Sequence, residues 1–120
     1  VFLHSRKRRT CAVFAGRSPL SLKVGIALEP HLFPCSICTS SATVGPSLSL
    51  GKPDAACVVA EGGAFADAMA TALANRVHGP QDIKRALRWA LSKERVKGAL
   101  IILGDKLAAQ GDLQLVPLRR

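Results

Sequence analysis

Residues 61–77 read Glu-Gly-Gly-Ala-Phe-Ala-Asp-Ala-Met-Ala-Thr-Ala-Leu-Ala-Asn-Arg-Val, and this stretch decides the fold. After the Gly-Gly pair the composition predicts a helix, because Ala, Met and Leu are good helix formers and no Pro interrupts them. Four apolar residues recur every fourth position, so they share one helix face and we expect that face to be buried. They are Phe65, Met69, Leu73 and Val77.

A polar set in the same stretch, Asp67, Thr71 and Asn75, lies opposite the apolar face at about 100° per residue. We expect Asp67 in the first helical turn, where the helix dipole favours negative charge. Asp67 and Thr71 offer a carboxylate and a hydroxyl oxygen in one direction, and Mg²⁺ takes oxygen ligands of this kind. Asp and Thr are also common on a helix surface, so the spacing alone leaves both interpretations open.

Composition limits the classes of protein. The 120 residues have room for one domain with a modest core, and 48% hydrophobic residues argue against disorder throughout. No apolar run approaches the roughly 18 residues that a membrane span needs. The net charge is +9, yet six basic side chains lie in two terminal clusters at residues 6–9 and 119–120. With four Phe, one Trp and no Tyr for base stacking, nucleic acid is not an expected partner.

The domain boundaries follow from the same composition. Residues 1–10 form a basic segment that we expect to be a disordered lead-in, and residues 11–118 form the domain. Because the chain begins with Val1 rather than Met, we expect it to be processed or part of a longer protein.

Four cysteines bear on the cellular compartment. Nothing in the sequence indicates secretion, so we expect reduced, partly buried thiols and a cytoplasmic protein. Cys35 and Cys38 have zinc-knuckle spacing with His31 nearby, but no second ligand pair lies at a usable distance. Cys38 beside two hydroxyl residues is a conceivable nucleophile, although the sequence shows no base for it.

The predicted order of elements gives the fold class. Strands are expected at residues 11–15, 22–28, 54–60, 99–103 and 113–116, and the first two are close enough to form a hairpin. Helices are expected after Gly63 and over residues 81–97, with Gly98 as the C-cap. The fold class is therefore α+β, an antiparallel sheet with a helix pair packed on one face, in the order ββ-loop-β-α-α-β-β.

The loop in that order, residues 34–52, is crowded with Ser, Thr, Gly and Pro. Residues 39–43 read Thr-Ser-Ser-Ala-Thr, and hydroxyls with bare backbone amides suit the binding of anions, including phosphate. A surface loop whose hydroxyls satisfy the local backbone has the same composition, so this pattern too leaves two interpretations open.

Several separate motifs, in order, closely resemble an uncharacterised family of ApbE-like proteins. They are Phe-Ala-Gly-Arg-Ser-Pro-Leu-Ser at residues 14–21, Ile-Cys-Thr-Ser-Ser-Ala-Thr-Val-Gly-Pro-Ser-Leu-Ser-Leu-Gly-Lys-Pro-Asp-Ala at 37–55, Ala-Asp-Ala-Met-Ala-Thr-Ala-Leu-Ala-Asn-Arg-Val at 66–77, Gly-Ala-Leu-Ile-Ile-Leu-Gly-Asp at 98–105 and Ala-Gln-Gly-Asp-Leu at 109–113. The resemblance covers residues 11–116 and looks like the C-terminal half of that family's domain. The wider ApbE superfamily contains FAD:protein FMN transferases.

The resemblance implies Mg²⁺ and FAD as cofactors, with FMN transferred to an acceptor protein. The family's Asp-Ala-x-x-Thr motif falls on Asp67, Ala68 and Thr71, which implies Asp67 and Thr71 as metal ligands and Ala68 as a cofactor contact. The loop motif adds Thr39, Ser40 and Ser41 to the cofactor site. The implied partners are a flavin nucleotide and an acceptor protein. If the chain is a truncated fragment, its half-sheet exposes apolar surface, and we then expect it to associate with a second copy.

Two residues favour an alternative. Where that family usually has Gly and His in the loop, this chain has Ala42 and Pro46. Loss of the His removes a donor and acid/base group, and Pro46 fixes φ and removes an amide. The alternative function is a non-catalytic ligand-binding or interaction module, or an inactive fragment, that keeps the fold. Whether the chain is an enzyme stays open at this point.

Overall fold

The structure is a computed structural model that describes residues 2–3, 5–15, 18–40 and 53–118. These described residues form eight strands and two α-helices, with 3₁₀ turns at Pro30–Leu32 and Pro80–Asp82. The elements are β1 (Phe2–Leu3), β2 (Arg9–Ala12), β3 (Val24–Leu28), β4 (Cys35–Ser40), β5 (Ala55–Ala60), α1 (Gly63–Asn75), α2 (Ile83–Leu91), β6 (Val96–Leu103), β7 (Lys106–Gly111) and β8 (Gln114–Pro117).

The strands of the described residues form two antiparallel sheets. A five-stranded sheet has the order β1-β4-β5-β6-β7, and a three-stranded sheet has the order β2-β3-β8. Each strand pair is antiparallel. With helices α1 and α2 added, the predicted α+β class is confirmed.

The five-stranded sheet separates two cores. Because successive strand residues point to opposite faces, Ala56 and Val58 of β5 pack beneath the helices, while Cys57 and Val59 face the three-stranded sheet. α1 lies over β4 and β5, and α2 lies over β6 and β7. The predicted helix pair on one face of an antiparallel sheet is therefore confirmed. The second sheet, which covers the opposite face, was not predicted.

Helix α1 has the predicted amphipathic pattern. Met69 and Leu73 are buried in the core beneath the helices, Val77 is buried just beyond the helix, and Phe65 is partly buried against the same core. The expected position of Asp67 in the first turn is wrong, because α1 begins at Gly63 and Asp67 is its fifth residue. The helix dipole therefore acts on this carboxylate less than we expected, since its effect falls off within the first turn.

The predicted hairpin is confirmed, since β2 and β3 pair with Cys11 opposite Ile26. Three strands were missed, namely β1 in the expected lead-in, β4 and β7. β4 occupies the first part of the expected loop, and it is held by pairing with β5, where Thr39 lies opposite Cys57. β7 follows a tight turn in which Gly104 has φ 62°, and it pairs along β6. In both places pairing with a buried neighbour outweighs weak local strand propensity.

The second helix is shorter than predicted. α2 ends at Leu91, and the expected C-cap, Gly98, lies inside β6 instead. Val96 already pairs with Ala60 of β5, so residues that the sequence pattern assigned to the end of the helix belong to β6 instead. A Cβ on Gly98 would lie 2.7 Å from Leu113 Cδ2, so close packing against Leu113 explains the glycine.

Part of the expected lead-in lies in the sheets. Phe2–Leu3 pairs with β4, and Arg9 and Thr10 pair with Leu28 and Ala27 of β3. Arg8 also forms an ion pair with Glu29, with Nε and Oε1 2.9 Å apart. Backbone pairing thus orders these positions despite their charge, and the division of the chain near residue 10 stays a prediction. Neither helix of the described residues is long and apolar enough to cross a membrane.

Candidate functional site

A cavity of about 410 Å³ lies against the outer edge of β4, and we call it the edge cavity. β1 borders β4 only at Cys35 and Ser36, so the cavity begins where that pairing stops. Asp67 of α1 closes it on one face of the sheet, and β2 closes it on the other. The lining residues are Cys11, Ala12, Ile37, Cys38, Thr39 and Asp67.

The start of α1, which sets the position of Asp67, is held by Arg95. The Arg95 guanidinium donates from Nη2 to the carbonyl of Glu61 at 2.9 Å, and its Cζ lies 4.3 Å from the centre of the Phe65 ring. Gly62 precedes the helix with φ 83°, a conformation that favours glycine. A Cβ there would meet Arg95 Nη2 at 2.7 Å. Glycine therefore permits both the turn and the close approach of Arg95.

The floor of the edge cavity joins the strand to the helix. The Cys38 thiol donates to the carbonyl of Gly63, the first residue of α1, with Sγ and O 3.7 Å apart. On the other face of β4, Thr39 Oγ1 and Cys57 Sγ lie 3.1 Å apart in a hydrogen bond. Adjacent residues of β4 therefore tie the cavity to both cores. Nearby, the Ser36 hydroxyl is fully buried and has no hydrogen-bond partner among the described residues.

Burial weakens three thiols at or near this cavity as nucleophiles, namely those of Cys11, Cys35 and Cys57. Burial raises the pKa of Cys57 to about 11, although the hydrogen bond from Thr39 opposes this shift. Burial also raises the pKa of Cys11 and of Cys35. All four cysteines are free in the structure, with Cys35 and Cys57 buried and Cys11 and Cys38 partly buried, and the reduced state of the thiols stays a prediction. Because the thiolate is the reactive form, these raised pKa values disfavour covalent catalysis by Cys11.

The structure brings two of the predicted site residues together. Thr39 and Asp67 line the edge cavity, although they lie on different elements. Thr71 is exposed one turn further along α1, Ala68 is exposed beside Asp67, and Ser40 is half-buried at the end of β4. None of these three lines the edge cavity. Ser41, like Ala42 and Pro46 of the same loop, lies outside the described residues.

The residues present fit Mg²⁺ in one way only. Asp67 is the single carboxylate among the residues that line the edge cavity. No group of three or more His, Cys, Asp or Glu side chains placed to hold a metal occurs in the described part of the chain. Mg²⁺ commonly takes one or two carboxylates and completes its shell with water and ligand phosphates. The site therefore fits a cation shared with a phosphate-bearing ligand, and it does not fit a metal held by the protein alone.

Three lining residues were not predicted as part of a site. Cys11 and Ala12 come from β2, and Ile37 comes from β4. Cys11 and Ala12 fell in a predicted strand and Ile37 in the expected loop, and apolar residues look alike in sequence whether they line a cavity or fill a core. Only the packing of the second sheet against the first brings β2 to this edge.

The fold is of the α+β class, with a cavity at a strand edge beside the first helix. The chain belongs to the family described as AbpE bacteria, whose model matches residues 1–109. It is 42% identical over 101 residues to a UPF0280 protein of Methanocella arvoryzae, across 84% of this chain and 41% of that relative. A UPF0280 protein of Methanosphaerula palustris is 44% identical over 101 residues, with the same two coverages. One from Methanothermobacter thermautotrophicus is 37% identical over 116 residues, across 92% of this chain and 44% of the relative.

These comparisons correct the family expected from the motifs. The assignment to an ApbE-like family among the FAD:protein FMN transferases was wrong, because the matching model is AbpE bacteria and these relatives are UPF0280 proteins. The matched residues include the expected lead-in, residues 1–10. The chain spans less than half the length of these relatives. Any activity of the whole protein is therefore a proposal.

Proposed function

We propose that the edge cavity is part of a binding site for a phosphate-bearing nucleotide, with FAD as the nucleotide to test first. The observation that carries the proposal is that Asp67 of α1 and Thr39 of β4 line one cavity. Asp67 offers a carboxylate for a cation, and the Thr39 hydroxyl oxygen can accept a hydrogen bond from a water of the cation's shell, so the two groups suit a magnesium–phosphate unit. The partner in this proposal is a flavin nucleotide, and the location is the cytoplasm.

The size of the cavity sets how much of such a ligand it holds. Small-molecule sites are typically about 300–1,000 Å³, and this cavity is about 410 Å³. It accommodates a phosphate-bearing fragment more readily than a whole dinucleotide. The rest of the proposed site then comes from segments that the matched relatives have beyond the aligned part, since the alignment spans 41% of the Methanocella arvoryzae protein.

The roles of the side chains in the proposal follow from their positions. Asp67 supplies the oxygen that holds Mg²⁺, and Thr71 on the same helix face adds a hydroxyl if the cation lies further along α1. Bound Mg²⁺ would neutralise phosphate charge and polarise the phosphoryl oxygens. Thr39 would hold the ligand against β4, while the Cys38–Gly63 contact keeps strand and helix in register.

The proposal has a catalytic version and a non-catalytic version. In the first, the bound FAD donates FMN to an acceptor protein and AMP is released. In the second, the chain binds the nucleotide without transfer. AMP release in the presence of acceptor peptides separates the two.

The test is a titration of the chain with FAD, followed by flavin fluorescence, with Mg²⁺ and again with EDTA. We expect Mg²⁺ to strengthen binding, and Asp67→Asn to remove that effect by about tenfold or more, since hydrogen bonds and ligands to charged groups contribute on that scale. Asp105→Asn is the matched control, because Asp105 is an exposed carboxylate in the turn between β6 and β7. Mg²⁺-dependent binding that survives in Asp67→Asn would refute the metal role, and absence of FAD binding would refute the proposed ligand.

A further inference from the structure

A second cavity, of about 360 Å³, lies where α1 ends and α2 begins. It is lined by Asn75, Arg76, His78, Arg85 and Ala86, and we call it the arginine cavity. These lining residues include two guanidinium groups and no carboxylate. The arginine cavity shares no residue with the edge cavity, so the inference below does not rest on the proposed function.

One guanidinium is positioned by a buried carboxylate. Asp82 is 7% exposed, and its Oδ1 accepts from Nη2 of Arg85 at 2.9 Å. Its Oδ2 accepts the backbone N–H of His78 at 2.9 Å. Asp82 therefore has both oxygens occupied by the protein itself. Arg85 has five N–H donors and gives one to this bond, so the others remain for a ligand.

The second guanidinium is positioned by an aromatic ring. Cζ of Arg76 lies 3.7 Å from the centre of the Trp89 ring, a cation–π contact between the end of α1 and the last turn of α2. Stacking restricts a side chain that otherwise samples many rotamers, and this lowers the entropy lost on binding. Both arginines are thus held in place before any ligand arrives.

From this arrangement we propose that the arginine cavity binds an oxyanion, specifically the phosphoryl group of a small ligand. Arginine forks match phosphate oxygens bidentately, and Asn75 and His78 add polar groups at the rim. A phosphoryl group carries a charge of about −1.5 to −2 at neutral pH. It therefore matches the two arginine charges better than a ligand with a single carboxylate does. The negative charges that oppose an anion here are that of Asp82, which is paired with Arg85, and about half a charge at the C-terminus of α1, so the two arginines leave a small positive excess.

The test measures binding of inorganic pyrophosphate to the 120-residue chain by isothermal titration calorimetry at low salt. We expect Arg76→Gln and Arg85→Gln each to weaken binding by about tenfold, since charged hydrogen bonds contribute on that scale. Arg88→Gln is the matched control, because Arg88 is an exposed arginine of α2 that does not line the arginine cavity. It removes the same charge and should change the affinity by less than about threefold.

Two further measurements keep the outcome unambiguous. Arg85→Lys keeps the charge and loses the planar fork, so we expect it to bind pyrophosphate more weakly than the unaltered chain does. Malonate is the comparison ligand, and binding as tight as that of pyrophosphate would overturn the phosphoryl assignment. Equal losses of pyrophosphate affinity in Arg76→Gln, Arg85→Gln and Arg88→Gln would show general attraction to a basic surface and would also overturn the proposal. Absence of pyrophosphate binding by a folded chain, shown by a cooperative thermal melt, would overturn it as well.

Discussion

Asp82 Oδ2 accepts the backbone N–H of His78 at 2.9 Å, and this bond fastens the turn between the two helices. Because this hydrogen bond is partly buried, loss of the Asp82 carboxylate leaves the His78 N–H without its acceptor. We expect Asp82→Ala to lower the free energy of unfolding by about 1–3 kcal/mol, measured by urea denaturation. Asp82→Asn keeps an acceptor oxygen and should cost less.

The control for this prediction is Arg85→Gln. The Arg85 side chain is 80% exposed, so its ion pair with Asp82 is screened by solvent and should contribute less than about 1 kcal/mol. If Arg85→Gln destabilised the protein as much as Asp82→Ala, the ion pair and not the backbone bond would hold the turn.

Two adjacent glycines at the start of α1 should respond differently to alanine. Gly62 has φ 83°, and a Cβ there would lie 2.7 Å from Arg95 Nη2, so Gly62→Ala combines backbone strain with displacement of Arg95. We expect it to cost about 1–2 kcal/mol in thermal or urea unfolding. A Cβ on Gly63 meets only Ser36 Oγ at 3.8 Å, an ordinary contact, and alanine suits a helix better than glycine.

Gly63→Ala should therefore be neutral or stabilising by up to about 1 kcal/mol. The two variants add the same methyl group one residue apart, so they control for each other. Equal effects of the two substitutions would contradict the role assigned to the left-handed turn at Gly62.

The buried thiol of Cys57 should make the protein less stable at alkaline pH. Its pKa is raised by burial from the ordinary 9.0 to about 11, so between these values the folded state keeps a proton that the unfolded state loses. The free energy of unfolding therefore falls as pH rises through this range, by about 1 kcal/mol at pH 10, and does not change on this account below pH 9.

The measurement compares urea unfolding at pH 8 and pH 10 for the unaltered chain and for Cys57→Ala, which should lose this part of the pH dependence. Val58→Ala, in the same buried strand, is the control, because it loses packing and no titrating group. A steeper fall with pH in Cys57→Ala than in the unaltered chain would show that the thiol does not titrate as its burial implies.

The elements that the sequence revealed are those with strong local periodicity. α1 has apolar residues at every fourth position, and β3 has strict alternation, so each could be recognised without its neighbours. β7 carries Ala108 and Ala109, which have little strand propensity, and it becomes a strand because β6 lies beside it. Ser92 to Arg95 contain no Pro or Gly, so nothing local ended α2 at Leu91.

The residues of the two cavities also divide into those recognisable from one element and those brought together only by packing between elements. Asp67 could be proposed from its helix spacing, because that spacing is a property of one element. The approach of Cys11 to the same cavity depends on how two sheets pack, which no local pattern encodes. Arg85 is exposed on α2 and bonds Asp82 three residues before it, but its nearness to Arg76 arises only when the two helices meet.

The connection between β5 and β6 has a consequence for how the molecule folds. The two strands are hydrogen-bonded neighbours, yet both helices lie between them in the chain, over residues 61–95. Closing a loop of that length costs only about 0.6 kcal/mol more than closing one half as long, so inserting a helix pair there is thermodynamically inexpensive. The cost falls instead on the folding rate, since the central strand pairing must wait for a non-local encounter. The two helices can form early from local contacts, and their docking over the sheet would then bring the two central strands within reach of each other.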